Sequence, residues 1–231
     1  MQIIGVIGGM SWESTAEYFR LLNTGVRDQL GGLHSARLRV ATVDFAPIEQ
    51  MQAAGDWQAA GEALAGEARD LEAAGAAVIL IATNTMHLVD DAVAGAVSVP
   101  VLHLGDVTAA AVRQAGLRRI WLLATRYTME QSFYRDRLAS RGVDTLIPEA
   151  EDRAAVQSII YDELCLGVVT EESRDRLLRV AGTLLDRGAE GIVLGCTELE
   201  LSVRAEDLDA SLFPTTALHC AAALDLALAE S

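Results

Sequence analysis

Short apolar runs alternate with longer amphipathic stretches along the chain. The apolar runs are rich in Val, Ile and Leu and predict buried strands at 3–7, 38–43, 78–82, 99–102, 120–124, 143–147 and 192–194. Apolar residues spaced three to four apart predict helices at 18–30, 57–74, 106–115, 129–141, 154–166 and 171–187. Continuous apolar strands separated by helices are typical of parallel sheets that are covered on both faces. The pattern therefore predicts an α/β protein.

A weak internal repeat indicates two related α/β units. Segments 75–85 and 188–198 each run through Gly-Ala, a buried strand, a small residue and a polar triplet. The constant offset makes Thr83 the counterpart of Cys196, so each unit would carry a short reactive side chain at the end of a central strand. Open α/β sheets bind ligands at that edge. The alternative is that any two αβ units look alike at this level.

The absence of one residue type narrows the chemistry. All 18 basic residues are arginines, because the chain of 231 residues contains no lysine. A pyridoxal phosphate Schiff base requires a lysine amine, and so does the usual phosphate-binding loop of nucleotide hydrolases. Any amino-acid chemistry is therefore expected to proceed without pyridoxal phosphate.

Charge and hydropathy limit the partners and the location. A net charge of −15 at pH 7 disfavours nucleic acid and anionic membranes as partners. Screening confines surface charge effects to about 8 Å, so local donors can still hold a dicarboxylate. No apolar stretch reaches the roughly 18 residues of a membrane helix, and the N-terminus lacks the basic start of a secretory signal. A cytoplasmic enzyme is expected.

The three cysteines, Cys165, Cys196 and Cys220, show no Cys-x-x-Cys spacing, so neither a disulfide framework nor a zinc site is indicated. Cys196 follows a glycine at a strand end, where backbone N–H groups and a helix terminus are expected to stabilise a thiolate. Its alternative is a structural, buried cysteine. Core packing is expected for Cys165 and Cys220, which lie in helical patterns.

Two further segments carry polar side chains at predicted strand ends. In the first, Thr83 is a weak acid and a poor base alone, and the following Asn84 and Thr85 could either donate to a ligand or cap a helix. His87 could assist Thr83 or be a satisfied core histidine. In the second, residues 8–15 follow the first strand as anion-binding loops do, but the spacing of a dinucleotide site is absent.

The segments 4–10, 44–45, 84–85, 194–198 and 215–219 together resemble the aspartate/glutamate racemase family. That family belongs to a superfamily with hydantoin racemases, maleate isomerases and arylmalonate decarboxylases. The resemblance covers most of the chain, and its Gly-Cys-Thr-Glu element is fairly specific.

This resemblance implies two pseudo-symmetric three-layer α/β/α halves with mainly parallel sheets and an active site in the cleft between them. It assigns 1–104 with 209–231 to the N-terminal half and 105–208 to the C-terminal half. It also implies a homodimer, and catalysis by two opposed cysteines without metal or coenzyme. One thiolate removes the α-proton of an acidic amino acid, and the other thiol protonates the opposite face.

Thr83 departs from the family pattern, because the first motif normally begins with cysteine. The chain resembles a one-cysteine subgroup specific for L-aspartate and L-glutamate. In that subgroup Cys196 would remove the α-proton of the L-enantiomer, and Thr83, or water relayed through it, would reprotonate the other face. One cysteine also fits decarboxylation or isomerisation of a small dicarboxylic acid, and a binding protein without activity. The choice between aspartate and glutamate stays open.

The same resemblance implies the residues that hold the substrate. Its α-carboxylate and amine would be surrounded by Met10, Ser11, Asn84, Thr85 and Thr197. Gln52 and Thr125 are candidates for the side-chain carboxylate, with Arg126 as a further candidate cation. Pro214 stands where many relatives have aspartate.

Overall fold

Each of two units of the chain builds its own parallel sheet. The computed structural model describes residues 1–188 and 190–229. The first unit consists of Met1–Leu104 and the C-terminal residues from His219 onward, and the second unit is Gly105–Leu218. Ala189 of the predicted repeat and the last two residues of the predicted N-terminal half lie outside the described residues.

The first unit contains a three-stranded sheet with the order β2-β1-β3. Its strands are β1 (Ile4–Gly8), β2 (Leu38–Thr42) and β3 (Val78–Ile81). In the parallel register, Val6 lies opposite Val40 on one side and Leu80 on the other. Because all three strands run the same way, their carboxyl ends meet at one edge of the sheet.

Helices cover both faces of this sheet. They are α1 (Trp12–Leu30), α2 (Phe45–Ala54), α3 (Trp57–Ala73) and α4 (Asp90–Ala94), with a 3-10 turn at Thr85–Val89. One core cluster joins Ile7 and Ile79 to Leu64 of α3. The other joins Val6 and Leu80 to buried residues of α1 and of the C-terminal helix α11 (Thr215–Ala229). Side chains on the two faces of the sheet thus pack into two separate cores.

The strand predicted at 99–102 is wrong, because this segment makes one isolated bridge between Val101 and Ile79. The Ile79 N–H donates to the Pro100 carbonyl and the Ile79 carbonyl accepts from Leu102. Proline has no N–H to extend the ladder, and the Leu102 carbonyl accepts a hydrogen bond from His219 instead.

The second unit contains a four-stranded sheet with the order β5-β4-β6-β7. Its strands are β4 (Arg119–Ala124), β5 (Asp144–Leu146), β6 (Gly191–Gly195) and β7 (Ser211–Pro214), all parallel. This order repeats that of the first unit, with β7 in the position that the Val101 bridge occupies there. Sequence reasoning missed β7, which is four residues long and ends in proline.

The helices of the second unit differ from the prediction in two places. They are α5 (Leu104–Gln114), α6 (Arg126–Glu130), α7 (Ser132–Ser140), α8 (Ala150–Ser158), α9 (Glu171–Asp186) and α10 (Leu199–Ser202). The single helix predicted at 129–141 is broken at Gln131, whose ψ of 150° is extended. The helix predicted at 154–166 continues α8 as a π turn at Ile159–Glu163 and a 3-10 turn at Leu164–Leu166.

The predicted fold class, two α/β halves with parallel sheets, is confirmed. The second junction between the units lies at 218/219 rather than at the predicted 208/209, because β7 pairs with β6 and keeps 211–214 in the second unit. Among the described residues, helices with the length and apolar character needed to cross a membrane do not occur.

Candidate functional site

The predicted residues of the first unit gather at the carboxyl edge of its sheet. Met10 and Ser11 follow β1, and Thr83 follows the neighbouring strand β3. The two loops are joined directly, since the Ser14 hydroxyl donates to the Ala82 carbonyl at 3.0 Å. Met10 and Ser11 are buried, and Thr83 is partly exposed.

The loop between β1 and α1 is fixed by close packing. Gly9 has a φ of 93°, and a Cβ there would overlap the backbone of Val43. The Gly9 N–H donates to the Thr15 hydroxyl at 2.8 Å, and that hydroxyl donates to the Ser11 carbonyl at 2.9 Å. The Ser11 hydroxyl accepts from the Ser14 N–H at 3.2 Å, so Ser11 is the N-cap of α1.

The backbone of Ala82 and Thr83 is held on every side. The Ala82 N–H donates to Ile7 O at 2.9 Å, and the Thr83 N–H donates to Ile81 O at 2.8 Å. The Thr83 carbonyl lies 2.8 Å from Nδ1 of His87. These hydrogen bonds therefore fix the backbone of Thr83, and with it the position of its Cβ.

Asn84, Thr85 and Gln52 lie in the same part of the first unit and are buried. Asn84 precedes the 3-10 turn without capping it through its side chain. Gln52, on α2, directs its amide Nε2 to the sulfur of Met86 in that turn, at 3.1 Å. The contact brings the predicted carboxylate-binding amide next to the segment that follows Thr83.

A group of buried histidines lies behind these loops. His87 Nε2 accepts from the Leu104 N–H at 3.1 Å, so its proton is on Nδ1 and is donated to Thr83 O. His219 donates from Nε2 to Leu102 O and accepts from the Tyr18 hydroxyl, both at 2.8 Å. The alternative of a satisfied core histidine is thus confirmed for His87. Burial, with a smaller effect of His87, lowers the pKa of His219 to about 3.

Cys196 follows β6 of the second unit, and its side chain is buried against a carboxylate. The thiol donates to Glu198 Oε2 at 2.9 Å, and both residues are buried. Gly195 is required just before it, because a Cβ there would lie 2.7 Å from the Leu122 side chain. The sulfur and the carboxylate form an acid and base pair at the strand end.

The thiolate predicted for Cys196 is not what this environment favours. Burial and the negative charge of Glu198 raise the pKa of the thiol well above its usual value. The expected helix terminus is also weak, since α10 begins only at Leu199 and has four residues. This environment favours the neutral thiol of Cys196, whose hydrogen bond the Glu198 carboxylate accepts. Sequence reasoning missed this contact, although Glu198 lies only two residues away.

Thr125 and Thr197 lie near Cys196 at the same sheet edge. Ala124, the last residue of β4, pairs with Gly195, so Thr125 and Cys196 are the next residues on adjacent strands. The Thr125 hydroxyl caps α6 by accepting from the Thr128 N–H at 3.3 Å. Arg126 is exposed and its guanidinium lies over the Tyr127 ring, 5.7 Å from the centroid.

The three cysteines are not joined by disulfides among the residues that the structure describes, and they lie in different settings. Cys220 lies in the core cluster of the first unit, as predicted. The same prediction is wrong for Cys165, which lies on a 3-10 turn and is only partly buried. A negative charge on Cys165 would act in the same direction as Glu198 and raise the pKa of Cys196.

Comparisons with known proteins show the family to which the fold and sequence of this chain are similar. A family model described as Asp/Glu/hydantoin racemase matches residues 7–223. A solved structure from Yersinia pestis, described as a candidate Asp/Glu racemase, is 52% identical, covers 99% of this chain and 100% of its own, and has a TM-score of 0.91. An aspartate racemase homologue from Pyrococcus horikoshii is 30% identical over 99% of this chain and 100% of its own, with a TM-score of 0.86.

Two further similarities are more limited. The aspartate racemase of Picrophilus torridus covers 98% of this chain and 94% of its own at 20% identity and a TM-score of 0.78, which shows a shared fold. An uncharacterized protein from Pectobacterium carotovorum, from the 3′ region of pnlA, is 36% identical over 101 residues. These residues are 44% of this chain and 66% of that relative.

Proposed function

Because the chain belongs to the Asp/Glu/hydantoin racemase family, we propose that it racemises aspartate or glutamate by moving the α-proton, with Cys196 as the main proton-transfer group. The observation that carries the proposal is the buried thiol of Cys196 donating to Glu198 at the carboxyl end of a central strand. The pair can release a strongly basic sulfur, which the weakly acidic α-proton requires.

Glu198 receives the thiol proton when the substrate is bound. The Cys196 thiolate then takes the α-proton, which leaves a neutral thiol and a substrate carbanion. A thiolate with a raised pKa is a stronger base than an ordinary one, so burial of Cys196 favours this step once the proton has moved to Glu198. The raised pKa of Cys196 is therefore compatible with a base.

Thr83 supplies the proton on the other face, from its own hydroxyl or through water. The proposal requires Thr83 and Cys196 to act on opposite faces of one substrate carbon. Donation of the hydroxyl proton to the carbanion leaves a Thr83 alkoxide, which takes a proton from water, while Glu198 returns its proton to water. Turnover from the D-enantiomer instead needs that alkoxide before any substrate proton is removed, and it is scarce near neutral pH. Turnover from the L-enantiomer is therefore expected to exceed turnover from the D-enantiomer.

Substrate binding is assigned to neutral donors. Met10, Ser11, Asn84, Thr85 and Thr197 are proposed to hold the α-carboxylate and the amine. Gln52 and Thr125 are proposed for the side-chain carboxylate. No lysine is available for a Schiff base, so the chain's own residues must stabilise the carbanion by hydrogen bonds to the α-carboxylate.

The proposal is tested by incubating L-aspartate and L-glutamate separately with the protein in heavy water. One of the two should acquire deuterium at Cα and yield the D-enantiomer, as read by NMR and chiral chromatography. Cys196→Ala should abolish both signals, and Cys220→Ala is the control because that cysteine lies in the core. Exchange with neither acid would rule out the racemase.

Thr83→Cys tests the role of the second face. A thiol at residue 83 can form a thiolate, so consumption of the D-enantiomer should rise by at least about tenfold. Chiral chromatography of reactions started from the D-enantiomer measures this. An unchanged rate from the D-enantiomer in a folded variant would mean that residue 83 does not reach the substrate.

The single thiol also favours a second candidate, a one-sided decarboxylation or isomerisation of a small dicarboxylic acid. A reaction in which only one face of the substrate carbon needs a proton does not require a cysteine at position 83, and this chain has none there. Release of carbon dioxide from an α-substituted malonate, without exchange of the amino acids, would select this alternative.

A further inference from the structure

His87 ties the Thr83 loop to the segment that follows the isolated bridge. Its Nδ1 lies 2.8 Å from the Thr83 carbonyl, and its Nε2 lies 3.1 Å from the Leu104 N–H. The residue is 3% exposed. The His103 ring packs against it, with the ring centroids 4.7 Å apart.

The hydrogen bonds of His87 fix which nitrogen carries the proton. A backbone N–H can only donate, so Nε2 accepts from Leu104 and the proton lies on Nδ1. The Thr83 carbonyl can only accept, which agrees with that tautomer. Because both nitrogens are bonded to backbone groups, the ring has neither a proton nor a lone pair left for a substrate.

This arrangement controls the peptide between Thr83 and Asn84. The Thr83 N–H is already bonded to Ile81 O, so the bond from His87 fixes the other end of the residue. We propose that His87 is a positioning residue that holds the Thr83 hydroxyl in the orientation needed to protonate the substrate on that face. Without the bond the carbonyl end of Thr83 loses a constraint, so the Cα of Thr83 can shift and carry the hydroxyl with it.

The inference rests on the proposed racemase and predicts a defect on one face only. Removal of the α-proton by Cys196 and its return to the same face do not involve Thr83. They convert L-aspartate or L-glutamate into its deuterated L-form in heavy water. Formation of the D-enantiomer requires Thr83. The ratio of D-product to deuterated L-substrate therefore reports the position of Thr83, and a general loss of stability would not change it.

Two variants of His87 separate its hydrogen bond from its bulk. His87→Asn places an amide nitrogen at the position of Nδ1 and keeps a donor for Thr83. His87→Leu introduces an apolar side chain of similar size and removes that donor. Both variants leave the Leu104 N–H without the ring nitrogen, so they differ in the bond to Thr83. His219→Gln is the control in the same histidine group, since His219 bonds to Leu102 and Tyr18.

The experiment measures deuterated L-substrate and D-product for all four proteins, with melting temperatures to confirm folding. His87→Leu should lower the product ratio by about tenfold or more, because small displacements of a reacting group cost that much. Its rate of exchange into the L-form should stay within about threefold of the wild type. His87→Asn and His219→Gln should keep the wild-type ratio.

The outcomes distinguish the two proposals. Absence of exchange in the wild type would overturn the racemase, and this inference with it. Exchange in the wild type with an unchanged ratio in His87→Leu would overturn the inference alone. An equal fall of the ratio in His87→Asn or in His219→Gln would do the same, because the Thr83 bond would not be the cause. If His87→Leu does not fold, a lowered ratio in folded His87→Asn still overturns the inference.

Discussion

Cys196 and Glu198 form a hydrogen-bonded pair that is buried in the second unit. The thiol is buried, and its hydrogen bond to Glu198 is 2.9 Å long. Burial and the negative charge of Glu198 both disfavour the thiolate, so the proton of the resting pair stays on sulfur. A ligand whose binding moves that proton to Glu198 would form the Cys196 thiolate, and thus the base, only in the presence of the ligand.

Glu198→Gln should make the Cys196 thiol more acidic and yet lower the rate of racemisation. Removing the negative charge lowers the pKa of Cys196, so alkylation of this thiol by iodoacetamide should reach its midpoint at lower pH. Racemisation should nevertheless fall by about a hundredfold, because glutamine cannot accept the thiol proton. Mass spectrometry of labelled Cys196 gives the first quantity and chiral chromatography the second.

Glu200→Gln is the matched control for that experiment. Glu200 accepts a hydrogen bond from the Thr216 N–H, and glutamine retains an oxygen that can do so. Its alkylation profile should match the wild type. A fall in activity for Glu198→Gln without any change in the alkylation midpoint would contradict the assignment of the charge effect.

At the scale of elements, α5 and α7 are joined by a charged clamp. Asp106 of α5 accepts paired hydrogen bonds from Arg137 and Arg141 of α7, at 2.7 to 3.0 Å. Burial alone would raise the pKa of Asp106, but the two arginines outweigh it and lower that pKa to about 2. The clamp fixes α7 after the interruption of the helix at Gln131.

Asp106→Asn should lower the free energy of unfolding by about 1–2 kcal/mol, because the bidentate pairs are lost while the site stays partly solvated. Urea denaturation near neutral pH measures the change. Asp144→Asn is the comparison, since its bond to Arg119 lies on the surface with more than half of both side chains exposed. That variant should change stability by less than about 0.5 kcal/mol. Equal effects would contradict the clamp.

The elements show what a sequence pattern can specify. Strands β1, β3, β4 and β6 were predictable because they are continuous apolar runs buried on both faces. The sequence predicted a strand at the Val101 bridge and missed the strand β7, because both are short segments next to proline. Their difference depends on hydrogen bonds from distant residues, such as that from His219 to Leu102.

The candidate site divides in the same way. Thr83 and Cys196 could be predicted because a strand end followed by a polar side chain is a local signal. The donation from His87 to Thr83 and the direction of the Cys196 proton could not, because they depend on burial and on side-chain geometry. Sequence reasoning predicted which groups are present but not their protonation.

For the molecule as a whole, His219 makes stability depend on acidity. Its pKa is about 3 in the folded chain, against 6.5 for an ordinary histidine. Between these values the unfolded chain binds a proton that the folded chain does not, so stability falls as the pH falls below 6.5. The loss attributable to His219 should be about 2 kcal/mol at about pH 5.

His219→Gln should flatten this dependence, because glutamine can place an amide donor near the position of Nε2 but does not titrate. Urea denaturation of both proteins at about pH 7.5 and about pH 5 gives the four free energies needed. Parallel losses in the two proteins would assign the acid sensitivity to other groups.

Self-association stays a prediction of the sequence. We propose a homodimer, and sedimentation equilibrium should then give twice the 24.6 kDa of one chain. A single species with the mass of one chain, at the concentrations used for activity, would contradict it.

Because of the C-terminal helix α11, the two units of the chain can complete their folding at different times during synthesis. Cys220, Ala223 and Ala227 belong to the same core as Val6 and Leu80, although they are translated after the whole of the second unit. The second unit, by contrast, is one uninterrupted stretch of chain. Since domains tend to fold as their sequence emerges from the ribosome, the unit that begins first is expected to finish last. Until then its unfinished apolar surface is one that a chaperone would recognise.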